Sequence, residues 1–142
     1  MSSPSPSPST ATPGPSTIVV IDDSVDLVES VLMLLELEGY RALGATDGPA
    51  GIRIAEEVRA DLVVLDFMLP DMNGAAIGKV LRAHPFLGGV RIVMCSATPE
   101  ATVRRSFTGY DVFLTKPVFP ETFFATMREQ LSAAPRPGAF AP

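Results

Sequence analysis

The chain has little of what usually announces a function. Its 142 residues include one cysteine and one histidine. A single cysteine excludes an intrachain disulfide and is neutral about compartment. With so few Cys and His side chains, no zinc site built from them competes for a reading. Basic residues are in the minority: eleven Lys and Arg face sixteen Asp and Glu, the net charge is −5, and no Lys/Arg run occurs. Direct DNA binding is therefore not expected, because a nucleic-acid footprint needs a basic stripe. No apolar run approaches the roughly 18 residues of a membrane span. No basic segment followed by an apolar core opens the chain, so no signal peptide is expected. The expectation is a cytoplasmic protein with no membrane part.

What is present falls into three zones. Of residues 1–16, thirteen are Pro, Ser or Thr, and the first charge is Asp22. Such a composition cannot bury enough apolar surface to offset its ordering entropy, so 1–16 is expected to be a disordered tail. Residues 133–142 contain three prolines in ten and are expected to form a flexible Pro/Ala-rich tail. Residues 17–132 then form one domain. A chain of that size buries about two-thirds of its unfolded surface, enough for a core.

Within that domain, short apolar runs alternate with amphipathic stretches. Ile18 to Ile21, Leu62 to Leu65, Val90 to Cys95 and Asp111 to Thr115 read as strands, with a weaker one from Tyr40 to Ala45. The continuous run Leu62-Val63-Val64-Leu65 suits a strand covered on both faces. Helices are predicted over Val25 to Leu37, Asp47 to Arg59, Ala75 to Ala83, Pro99 to Phe107 and Pro120 to Leu131. Ser24 is a suitable N-cap and Gly39 a suitable terminator for the first. In the last, Phe123, Phe124, Met127 and Leu131 form the stripe expected to be buried. Strand and helix alternate five times. This pattern predicts an α/β fold: a doubly wound parallel sheet with helices on both faces and right-handed crossovers.

Five polar residues then belong together. Asp22 and Asp23, Asp66, Ser96 and Lys116 each stand at or just past the end of a predicted strand. In open α/β sheets ligands bind outside the carboxyl ends of the strands. Three carboxylates and one ammonium leave two negative charges, which one divalent cation neutralises. Oxygen-only ligands favour Mg²⁺, which often joins carboxylates to phosphate. Asp66 ends the most apolar strand and is the natural nucleophile for an aspartyl phosphate. A metal and an ammonium would stabilise charge on the transferring oxygens, and Ser96 would donate a hydrogen bond to one of them.

With these motifs in order, the chain resembles the receiver domain of two-component response regulators. The matching pieces are Asp22-Asp23, Asp66 to Gly74 with its Asp-x-x-x-Pro-x-x-x-Gly pattern at Asp66, Pro70 and Gly74, then Ser96-Ala97 and Lys116-Pro117. The resemblance implies a flavodoxin-like (βα)5 fold with strand order 2-1-3-4-5. It implies that Asp66 is the phosphoacceptor and that Asp23, Asp66 and the backbone carbonyl of Met68 hold Mg²⁺, with Asp22 acting largely through water. Lys116 would pair with the phosphoryl group. Ser96 and Phe113 would occupy the switch positions, and the Lys116–Pro117 bond would be cis. A sensor histidine kinase or histidine phosphotransfer protein would donate, and a downstream protein target would read the result. The chain would be a stand-alone receiver with no output domain, a phosphorelay module that assists its own phosphorylation and dephosphorylation and is not an enzyme. The stretch from Ser96 to Lys116 is about two residues shorter than is common in the family, and the deficit falls near the fourth helix.

Blander readings stand beside each of these. Asp22-Asp23 alone would serve as capping carboxylates, Ser96 alone as a helix cap, and Lys116-Pro117 alone as a turn. Phe113 fits static core as well as a moving switch. Cys95 reads as a small buried residue, His84 as a loop residue, and Arg104-Arg105 as a solvated helix face. Two other functional classes compete. A phosphatase of the haloacid-dehalogenase type also uses a strand-end Asp and Mg²⁺, but usually carries a second Asp two residues on, where this chain has Met68. A binding module that never takes phosphate would not need the full acidic set and Lys116.

Overall fold

The computed structural model describes residues 14–133. The predicted tails lie outside that range, apart from 14–16 and 133. Five strands form one sheet: β1 (Thr17–Ile21), β2 (Arg41–Ala45), β3 (Leu62–Leu65), β4 (Arg91–Ser96) and β5 (Val112–Thr115). All neighbours pair in parallel, and the order is β2-β1-β3-β4-β5. The helices between them are α1 (Val25–Leu37), α2 (Gly48–Val58), α3 (Gly74–Ala83), α4 (Glu100–Arg104) and α5 (Pro120–Ser132).

Side chains alternate across a strand, and here each face meets its own set of helices. Val19, Ile21, Val63, Leu65, Ile92 and Met94 pack with Ala55, Ile77, Val103 and Phe107, which places α2, α3 and α4 on one face. Ile18, Val20, Leu62, Val64 and Val93 pack with Val28, Leu35 and Met127, which places α1 and α5 on the other. Every residue of β1 and β3 is buried. That two-sided cover is why these runs are apolar without alternation.

Local chemistry sets the helix ends. Ser24, Asp47 and Asn73 each accept a backbone N–H from the residue three further on, capping α1, α2 and α3. Gly39 has φ of 95° and stops α1, a backbone state glycine adopts without a Cβ clash. Arg59 also turns left-handed, with φ of 51°, so α2 ends at Val58 and not at Arg59 as predicted.

The fourth helix differs most from the prediction. It covers Glu100–Arg104, with Pro99 as its N-cap and no side-chain cap bond, where the sequence pattern runs from Pro99 to Phe107. The helical bonding frays rather than stops at once: Ser106 and Phe107 N–H both donate to the Val103 carbonyl. Phe107 stays buried in the core, and beyond it the Arg82 guanidinium donates to the Gly109 carbonyl at 2.8 Å. β5 begins one residue later than predicted, because the Asp111 carboxylate accepts the Ile92 N–H at 2.8 Å with its side chain. The α5 stripe is buried fully only at Met127. Phe123 and Phe124 are partly open because they line a cavity of about 610 Å³ shared with Leu27, Val31 and Leu34 of α1.

Arg82 ties the far edge of the sheet together. Its guanidinium donates to the carbonyls of Gly88, Val90 and Gly109 and pairs with Asp111 at 3.0 Å. Asp111 also receives Arg91 at 3.3 Å. Both side chains of the Arg82–Asp111 pair are largely buried, at 16% and 7% exposure. Removing one partner would strip hydrogen bonds from groups that water cannot fully reach. Arg82→Met is therefore expected to lower the unfolding free energy by about 2 kcal/mol, seen as a lower urea midpoint at unchanged slope. A wild-type midpoint would mean that the network adds nothing to stability.

Candidate functional site

The carboxyl ends of β1, β3, β4 and β5 meet at one edge. Asp22 follows β1, Asp66 follows β3, Ser96 ends β4 and Lys116 follows β5. Parallel register makes them neighbours: Ile21 pairs with Leu65, so the residues after them emerge side by side. The backbone continues the ladder there, with Asp66 N–H on the Ile21 carbonyl and Lys116 N–H on the Ser96 carbonyl. Asp22, Asp66 and Ser96 are buried, at 5%, 8% and 1% exposure, while Asp23 is exposed.

Carboxylate oxygens of Asp22, Asp23 and Asp66 lie within 4.8 Å of one another. The Lys116 ammonium stands against this group, 2.5 Å from Asp22 and 3.2 Å from Asp66. Asp22 takes its second bond from the Ser24 N–H at 3.0 Å, and Asp66 from the Met68 N–H at 3.2 Å. The sequence argument assigns Asp22 to water and gives Lys116 a phosphoryl partner. In this structure the two bind one another directly.

Burial sets the charge balance. It pushes the Asp66 carboxyl above its ordinary range, against the pull of Lys116 and the Met68 N–H, and the Asp22 charge pushes the same way. Burial also works against the Lys116 ammonium, but the Asp22 hydrogen bond and the charges of Asp66 and Asp22 outweigh it and hold its pKa above the usual value. Lys116 is thus a fixed positive charge, and Asp66 is a carboxylate that gains from any further cation.

The loop after Asp66 is held tight. Gly74 N–H donates to the Phe67 carbonyl at 2.7 Å. A Cβ on Gly74 would come within 2.7 Å of the Asp66 carbonyl oxygen. The glycine therefore lets the start of α3 close against the backbone of the acidic residue. Met68 is 62% exposed, and its N–H is the group that touches Asp66.

The remaining predicted residues sit nearby. The Ser96 hydroxyl accepts the Thr98 N–H at 3.2 Å, a turn in the loop before α4 and not the helix cap of its blander reading. Phe113 is partly buried against the α2/α3/α4 core, paired in register with Met94. Since Met94 and Ser96 share a face, Phe113 lies on the same side of the sheet as the Ser96 hydroxyl. The Lys116–Pro117 bond is cis. Cys95 is only half-buried and borders the α1/α5 cavity. Burial pushes its thiol up to about 11, so it remains a thiol. His84 meets Glu56 at 2.8 Å, and Arg104 and Arg105 are solvent-exposed, as predicted. The sequence argument passes over Arg82, whose reach across two loops has no local motif, and Tyr110, whose hydroxyl bonds to Glu100.

The family described as the response regulator receiver domain matches residues 18–128. The DNA-binding response regulator MtrA of Mycobacterium tuberculosis is 37% identical over 116 residues, which is 80% of this chain and 50% of that protein. The chain thus spans about half the length of the curated relatives it matches. Among solved structures, chemotaxis protein CheY4 of Vibrio cholerae superposes with a TM-score of 0.75 at 26% identity, covering 82% of this chain and 98% of that one. The receiver domain of sensor histidine kinase PA1611 from Pseudomonas aeruginosa, described with magnesium in its active site cleft, gives a TM-score of 0.77 at 22% identity, covering 84% of this chain and all of that one. With the family matched from β1 through most of α5, this chain belongs to the response regulator receiver domains of two-component systems.

Proposed function

We propose that Asp66 is the phosphoacceptor of a phosphorelay step. One observation carries the reading: a half-buried Lys116 ammonium bridges two buried strand-end carboxylates, with a third carboxylate inside the same 4.8 Å group. In the proposed step an Asp66 oxygen attacks phosphorus, the P–N bond of a partner's phosphohistidine breaks, and the imidazole leaves with a solvent proton. Asp66 becomes an acyl phosphate. Lys116 then shifts its hydrogen bonds from carboxylate to phosphoryl oxygen, and Ser96 offers its hydroxyl to another.

The donor set fits a hard divalent cation. All the clustered ligands are oxygens, and the acids exceed the nearby cation in number. Asp22, Asp23, Asp66 and the Met68 carbonyl would hold Mg²⁺. When bound, it would neutralise charge on the transferring oxygens. The expected donor is a sensor histidine kinase or a histidine phosphotransfer protein. The expected reader is a protein target engaging the α4/β5 face. No DNA contact is proposed for residues 14–133. Among those residues no helix is long and apolar enough to cross a membrane. The haloacid-dehalogenase alternative lacks its general acid, because Met68 stands at that position.

Two outcomes test this reading. Incubation with Mg²⁺ and a small acyl-phosphate donor should add one phosphate by intact mass, and Asp66→Asn should add none. An equal gain in that variant would remove Asp66 from the role. The second concerns stability without metal. A carboxyl whose folded pKa is raised stabilises the fold at pH below its unfolded value, and that contribution is lost as pH rises through the folded value. Once ionised, Asp66 is therefore a liability that Asn removes. Asp66→Asn should raise the metal-free Tm at pH 7. The gap should close as the buffer is taken toward pH 4. Mg²⁺ should raise the Tm of the wild type more than that of the variant. A lower Tm for Asp66→Asn at pH 7 would contradict the charge balance described for the site.

A further inference from the structure

We infer that Tyr110 and Glu100 form a latch that holds α4 in its resting position, and that release of this latch carries the signal out of the acceptor site. This rests on the reading of Asp66 as phosphoacceptor. The Tyr110 hydroxyl donates to the Glu100 carboxylate at 2.5 Å, joining the first residue of α4 to the approach to β5. Val103 anchors this short helix in the core, but its first residue receives no side-chain cap from Pro99, whose carbonyl accepts the Thr102 and Val103 N–H groups. A helix of five residues has little cooperativity of its own. A single side-chain tether therefore counts for more here than on a long helix.

The ring of Tyr110 links the tether to the site. It tilts against Phe113 at 5.8 Å and against Phe107 at 6.3 Å between centroids. Phe113 lies on the Ser96 face of the sheet and has no hydroxyl, so it has no polar partner to hold or release. The polar end of the aromatic pair is Tyr110, three residues earlier. Partial burial, followed by the Glu100 carboxylate, pushes its phenol up to about 12 despite the opposing charge of Arg104. The hydroxyl thus remains a donor at physiological pH.

The backbone on either side of Tyr110 is fixed. Gly109 is held through its carbonyl by Arg82, and Asp111 through its carboxylate by Arg82, Arg91 and the Ile92 N–H. With both neighbours pinned, Tyr110 answers a move of Phe113 by turning its side chain. On the acceptor reading, Ser96 engages the phosphoryl group and Phe113, on the same face of the sheet, moves with it. The Tyr110 ring then follows Phe113, and its hydroxyl leaves Glu100. The first turn of α4 is freed for a partner.

Tyr110→Phe keeps the ring and removes only the hydroxyl, while Glu100→Ala removes the acceptor. In metal-free, unphosphorylated protein each variant should speed amide exchange across Glu100–Arg104 about fivefold, the ratio expected for one modest hydrogen bond. Their α4 amide shifts should move toward those of wild type with Mg²⁺ and beryllofluoride. The double variant should add nothing to either single one, as required of two groups that act only through each other. If beryllofluoride moves the wild-type α4 signals but both variants keep resting exchange and shifts, the latch is wrong and the acceptor reading stands. Additive effects in the double variant would also overturn it. If wild type with Mg²⁺ and beryllofluoride shows no change even around Asp66, the acceptor reading fails and takes the latch with it.

Discussion

The Lys116 ammonium stands between Asp22 and Asp66, and much of the domain is arranged to keep it there. The ammonium and its two carboxylates arrive from three different strands, so the contact exists only when β1, β3 and β5 are in register at their carboxyl ends. Two carboxylates this close repel, and burial makes the repulsion worse. The lysine turns an unfavourable pair into a site that is short of one cation. The apolar strands supply the low-dielectric floor that makes these charges matter. The same burial would have been a plain cost without the ammonium.

This dependence explains why so much of the site was legible in sequence. A residue that follows an apolar run in a parallel sheet has its position set by the strand, so the sequence alone puts Asp22, Asp66, Ser96 and Lys116 at one sheet edge. Met68 was placed as well, although the group shown touching Asp66 is its N–H and not its carbonyl. Less visible was how these groups bind one another. The Lys116–Asp22 bond spans 94 residues and has no local signature.

The fourth helix shows the limit more plainly. Its apolar spacing ran on to Phe107, yet the core took Phe107 as a buried side chain and the helix stopped at Arg104. Periodicity reports which residues want to be inside and does not say whether helix or loop delivers them. Arg82 and Asp111 were missed for a related reason. Each is an isolated charge in sequence, and their meaning comes from backbone carbonyls on two loops that only the fold brings within reach. The short span between Ser96 and Lys116 is visible in sequence, but the stack of Phe107, Tyr110 and Phe113 within it depends on the fold.

The Arg82 knot has a consequence for how any displacement near β5 can be described. Movement is defined only against something that stays still. Here the entry to β5 is clamped by Asp111 and Gly109, while its exit carries Lys116. A strand of four residues held at one end and pulled at the other acts as a lever. Its fixed end lies at the guanidinium, and its four residues leave little arm over which a shift could grow. Little amplification comes from the strand itself. Any gain must come from how loosely the load, the brief fourth helix, is attached.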